Sequence, residues 1–217
     1  MRRWPYCSLG ILAAIVCVMA APVQAQDQGT PILGDVPFPT DDSSTPSEDK
    51  GAPPTPGDQQ MFDQGAAYYD RGDYTHAYQI FYYLADHDDI AAMRNVALMK
   101  RKGQGTVRDP QGAMEYLKEA ADAGLPTAQS DLADMLLNGE AGPPDPESAM
   151  RWLETAAKAH HPMAEFRLAE IYERGQVVPR DVIRAEELYA EAAARGVPQA
   201  AQRLELLKSG AVSPPRP

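Results

Sequence analysis

Cysteine is missing from this chain beyond position 17. Cys7 and Cys17 both fall in an N-terminal stretch with the three parts of a secretory signal: Arg2 and Arg3, an apolar run from Leu9 to Ala21, and the small-residue site Val23-Gln24-Ala25. Cleavage is expected after Ala25, with Ala20 or Ala21 as neighbouring sites and an uncleaved anchor as the alternative; the mature chain then has no thiols, which excludes disulfides, thiol catalysis and thiolate metal sites. Long apolar runs are lacking as well. The Leu9–Ala21 run is about 13 residues, short of the roughly 20 that cross a bilayer, so no stable membrane insertion is expected once the signal is removed. Ile15 and Val16 precede Cys17 where a lipid-attachment box needs a small residue.

Cations are scarce. The chain has 20 Lys and Arg against 31 Asp and Glu, a formal charge of −11. Without Arg2 and Arg3 the balance is 18 against 31, or −13. Nucleic acid and anionic lipid both demand cationic contacts and are disfavoured as partners. Catalytic signatures are sparse too. No Gly-Lys-Ser/Thr phosphate loop and no Gly-x-Ser-x-Gly elbow occurs, and no two histidines stand four apart with a glutamate between them, as zinc-protease helices require. The Asp86-His87-Asp88-Asp89 run lacks the glycine and closing glutamate of a calcium loop and reads as a solvated turn. The expectation is a non-enzymatic chain with no cofactor and no metal.

What the chain does have is a repeat. Three blocks of 36 residues superimpose without a gap from Ala91 to Pro198. Ala92, Ala128, Ala164 and Ala200 fall in register, as do Val96, Leu132, Leu168 and Leu204, then Gly103, Gly139 and Gly175. The second half repeats through Asp109, Asp145 and Asp181, through Ala113, Ala149 and Ala185, and through Leu117, Leu153 and Tyr189. A fixed period in the range of about 20–50 residues marks a stacked-repeat protein, whose units bury their apolar faces against one another.

Within one unit, Ala92, Val96, Ala97 and Met99 are spaced as a helical stripe, and Gly103 stands where a left-handed helix end is needed. Asp109-Pro110 supplies a cap and a first-turn proline for a second helix, whose stripe is Ala113, Leu117, Ala120 and Ala121. Each unit is therefore a helical hairpin, and the alanines let paired helices approach closely. Tyr116, Trp152 and Leu188 are equivalent positions that provide packing bulk.

The organisation follows: 1–25 signal; 26–58 a disordered tether; 59–90 a shorter hairpin; 91–126, 127–162 and 163–198 the repeats; 199–210 a capping helix; 211–217 a frayed tail. The tether holds seven prolines, seven acidic residues and Lys50 as its one cation. Its apolar anchors are Ile32-Leu33 and Val36-Pro37-Phe38. In the short hairpin, Phe62, Ala66 and Tyr69 suggest the first helix, and Ala77, Phe81, Leu84 and Ala85 the second.

The pattern resembles the Sel-one-like repeat, a relative of the tetratricopeptide repeat with a longer loop between its helices. It is clearest in the third unit, as Ala164, Leu168-Ala169, Tyr172, Gly175, Asp181, Ala185, Leu188-Tyr189, Ala192-Ala193 and Gly196. The second unit departs from it through Gly142-Pro143-Pro144 and His160-His161. The resemblance implies an all-α solenoid of stacked antiparallel hairpins that serves as an adaptor, holding a protein or peptide on its concave surface. With the first helix of each unit lining that surface, the outward positions are Arg94, Leu98 and Arg101, then Ser130, Asp134 and Leu137, then Phe166, Glu170 and Glu173. Such a groove would run from basic to acidic over apolar footholds; the same positions also read as ordinary solvated helix faces. For secreted bacterial members the resemblance implies a periplasmic setting and the regulation of an envelope sensor or of polysaccharide assembly. A cell-wall-associated factor binding peptidoglycan or an envelope enzyme stays open as the alternative.

Overall fold

A computed structural model describes residues 55–209; the signal, all but the end of the tether, and the tail lie outside the described residues. The described residues form nine helices and no strand: α1 (Pro56–Asp70), α2 (Tyr74–Asp86), α3 (Ile90–Lys102), α4 (Pro110–Asp122), α5 (Pro126–Asn138), α6 (Pro146–Lys158), α7 (Pro162–Arg174), α8 (Val182–Ala194) and α9 (Pro198–Lys208). Each helix packs chiefly on its predecessor and its successor in the chain. Four antiparallel hairpins and a closing helix therefore stack in sequence order, the all-α repeat solenoid that the period predicts.

The local causes recur from unit to unit. Asp109, Asp145 and Asp181 each accept a hydrogen bond from the backbone N–H three residues on, which starts the second helix. The backbone N–H of the same three residues donates to the carbonyls of Lys100, Leu136 and Tyr172, and this ties each loop back to its first helix. Gly103, Gly139 and Gly175 end the first helices in the left-handed region, with φ of 72°, 64° and 67°. A side chain there would carry the strain that glycine avoids.

Burial follows the stripes. Ala92, Val96, Ala113, Leu117, Ala128, Leu153, Ala164, Ala185, Tyr189 and Ala200 are all fully withdrawn from water. The short first hairpin differs from its sequence reading. Helix α1 starts at Pro56, inside the stretch that composition assigns to a tether, because Thr55 and Asp58 form a reciprocal capping box and Pro56 supplies the first-turn residue. Its buried residues are Met61 and Gly65 rather than Phe62 and Ala66. Phe81 of α2 lies against Gly65, where a Cβ would stand 3.0 Å from its ring, and Phe62 meets the same ring edge-on at 5.2 Å. A missing side chain thus sets the helix contact that a hydrophobic stripe does not reveal.

Candidate functional site

The first helices of successive units, α3, α5, α7 and then α9, are stitched together by ion pairs. Arg94 Nε on α3 donates to Asp131 Oδ2 on α5 at 2.6 Å. Arg101 grips Glu140, just past α5, with both Nε and Nη2. Arg167 on α7 reaches back to Asp134 on α5 with Nε at 3.1 Å from Oδ1 and also donates to Glu170 at 2.9 Å. Arg203 on α9 donates to Glu173 on α7 at 2.6 Å. The Arg101 guanidinium holds the Glu140 carboxyl below its ordinary value. Asp134 goes the other way: burial raises it, more than Arg167 and Arg101 lower it.

The nine residues assigned to the inner face part company here. Asp134, Leu137 and Glu170 converge with Asn138, Arg167, Ile171, Arg174 and Val177 around a cleft of about 260 Å³ between the C-terminal halves of α5 and α7. Leu98, Arg94 and Arg101 stay half-buried on α3, outside that cleft. Three residues do not face outward. Ser130 is 4% exposed. Phe166 is 8% exposed and packs on Tyr189 at 5.6 Å between ring centroids. Glu173 is 3% exposed, because α9 supplies Arg203 over it and Tyr189 donates its hydroxyl to Oε2 at 2.7 Å. The basic-to-acidic gradient is corrected with them. Arg94 and Arg101 meet carboxylates of the next unit, so charge alternates in pairs across the face.

Sequence reasoning missed the other cleft residues, among them both cations, Arg167 and Arg174. Arg174 is 57% exposed and anchored only through Nη2 to Glu170 at 3.2 Å, which leaves most of its guanidinium turned to solvent. Its place in the last turn of a helix, with the Glu170 carboxylate four residues back, is the sequence signal that could have found it. The cleft thus offers aliphatic walls from Leu137, Ile171 and Val177, carboxylates already engaged by Arg167, and in Arg174 a guanidinium with donors beyond its one bond to Glu170. That equipment suits recognition of a polypeptide.

Among the described residues, no group of three His, Cys, Asp or Glu side chains stands close enough to hold a metal ion, and no helix is long and apolar enough to cross a membrane. Within the Asp86–Asp89 run two side chains serve the fold: Asp89 caps α3 by accepting from Ala92 N–H, and His87 Nδ1 meets the Tyr83 carbonyl at 2.8 Å.

Residues 90–125, 126–161 and 162–197 each match the model of the Sel1 repeat. A solved Sel1 repeat protein from Oxalobacter formigenes superimposes with a TM-score of 0.66 at 28% identity, over 72% of this chain and 64% of that one. A protective antigen of uropathogenic Escherichia coli, displaying an SLR fold, gives 0.66 at 23% identity, over 72% of this chain and 34% of that one. The chain therefore spans less than two thirds of either solved protein. No curated protein matches it.

Proposed function

The chain belongs to the Sel1-like repeat family, whose members are generally protein-interaction scaffolds, and from that premise we propose that it captures a segment of a partner protein across the face formed by α3, α5 and α7. The cleft between α5 and α7 is the anchor point. One observation carries this reading: Leu137, Ile171 and Val177 line a depression whose rim charges run in a chain of pairs, Asp134 to Arg167 to Glu170 to Arg174, with most of the Arg174 guanidinium still turned to solvent. Rim charges locked by neighbours cost little further ordering when a partner arrives, so an apolar side chain can be buried and a carboxylate or carbonyl bound beside it.

The setting we assign is the periplasm, on the strength of the signal-like N-terminus. The partner there is a component of an envelope sensor or of a polysaccharide-assembly machine. The observations on the cleft favour a polypeptide over a glycan, because its walls are aliphatic rather than aromatic.

The test is capture from envelope extract by the purified chain and by the variants Leu137→Asp and Arg174→Glu. Arg174 is exposed and Leu137 is half-buried against the core, so circular dichroism is used to check that both variants keep their helices. Each should lose at least about tenfold in recovered partner, which is a change of roughly 1.4 kcal/mol. Undiminished recovery of the same partner by both variants removes the proposal.

A further inference from the structure

A second depression, larger than the first and away from it, lies within the first repeat. It measures about 640 Å³ and is lined by Asp88, Ile90, Met93, Glu115, Lys118, Glu119, Asp122 and Ala123, from the α2–α3 turn, the start of α3 and the end of α4. Ile90, Met93 and Ala123 give it a carbon floor, and four carboxylates stand around it against one ammonium group. Among the described residues Asp88, Glu115 and Asp122 make no ion pair with Lys118 or any other cation.

The repeat itself shows that this depression is a departure. Thirty-six and seventy-two residues further on, Met93 becomes Gln129 and Glu165, and Ala123 becomes Ala159 and Arg195. In the third unit these two positions close the site, for Arg195 Nη1 donates to the fully buried Glu165 at 3.0 Å. In the second unit the rim positions Glu115 and Asp122 are Arg151 and Lys158, which reverses the charge. Only the first unit combines the apolar floor, the missing plug and the acidic rim. Asp88 adds to this. It takes the turn position held by Gly124, His160 and Gly196 in later units, and it does so at a φ of 64° that glycine adopts more cheaply. A carboxylate is kept at the rim against local strain.

We propose that this depression is a second docking surface, and that its occupant is a cationic amphipathic segment of another protein, a lysine or arginine beside a bulky aliphatic side chain. The aliphatic group fills the floor over Met93 and Ala123, and the cation meets Glu115, Asp122 and Asp88. The volume is in the range that ligand-sized groups fill. Charge argues against other occupants. The chain's own 26–58 segment carries seven acidic residues and a single lysine, and a second copy of the chain brings a net −11 with it.

The experiment is fluorescence anisotropy of the purified chain with two labelled peptides, one alternating arginine with leucine and one alternating glutamate with leucine, at about 0.15 M ionic strength to screen diffuse attraction. The arginine peptide binds and the glutamate peptide does not. Ala123→Arg, which installs the third unit's plug at a solvent-facing helix end, and the pair Glu115→Gln with Asp122→Asn each weaken binding by about tenfold. The pair Glu187→Gln with Glu191→Gln removes the same charge from the third unit and changes binding less than about twofold. Circular dichroism confirms that all variants keep their helices. Equal binding of both peptides, equal loss from the third-unit pair, no effect of Ala123→Arg, or dimers that Ala123→Arg dissociates each overturn the proposal. Leu137→Asp and Arg174→Glu leave this binding intact, which separates it from capture at the α5–α7 cleft.

Discussion

His161 has to stay neutral to do its structural work. Its Nδ1 accepts the Ala164 N–H at 3.3 Å and caps α7, a task that only the unprotonated ring performs. Burial lowers its pKa from the ordinary 6.5, Arg94 lowers it further, and Asp131 opposes both. A histidine whose folded value is depressed contributes stability above its unfolded value and loses that contribution as pH falls through about 6.5. Nearby Glu165 has the opposite sign, since burial raises its carboxyl and acid therefore favours its folded form. The comparison with His161→Asn, which keeps a capping oxygen and removes the titration, isolates the cap. Between about pH 7.5 and 5.5 the wild-type melting temperature should fall about 2–4 °C relative to the variant, as loss of a cap worth roughly 1 kcal/mol implies. Parallel pH profiles for the two proteins would show that His161 is not the titrating cap.

At the scale of the element, each second helix ends in the left-handed region: Asp88, Gly124, His160 and Gly196 have φ of 64°, 92°, 58° and 90°. His160 carries the strain of a side chain there and recovers part of it through Nδ1 to Arg195 Nη2 at 2.9 Å. His160→Gly should raise unfolding stability by about 1 kcal/mol in urea denaturation with an unchanged slope, and His160→Ala should not raise it. A stabilising alanine would show that the His160 side chain, not its backbone, is the unfavourable feature. The glycine ends of the first helices, Gly103, Gly139 and Gly175, and the Asp caps were legible in the sequence because each rests on local backbone geometry within a turn. The fate of the nine inner-face residues was not. Arg94 and Arg101 are neutralised by carboxylates 37 and 39 residues away, and Glu173 is covered by an arginine 30 residues on. Pairings across units depend on how the hairpins stack, which periodicity within a unit does not encode. Gly65 misled for a related reason, since its role is to be absent where Phe81 packs.

For the described part of the molecule, the repeat period gave the stacking order, and α9 completes it. Occupying the place of a fourth first helix, α9 buries Ala200 and Leu207 and brings Arg203 to Glu173. Terminal units of stacked arrays need such closure, because the last apolar face otherwise meets water. The same closure withholds Glu173 from the surface, while Tyr189 of α8 keeps Phe166 inside. Site-specific photo-cross-linking reports on capture at the α5–α7 cleft without relying on loss of binding. A photoreactive residue replaces Leu137 in one protein and the exposed loop residue Val107 in another, and each is irradiated with envelope extract. A covalent adduct of one partner is expected from position 137 and none from position 107. Equal adducts from both positions, or retained partner capture with no adduct from position 137, would contradict it.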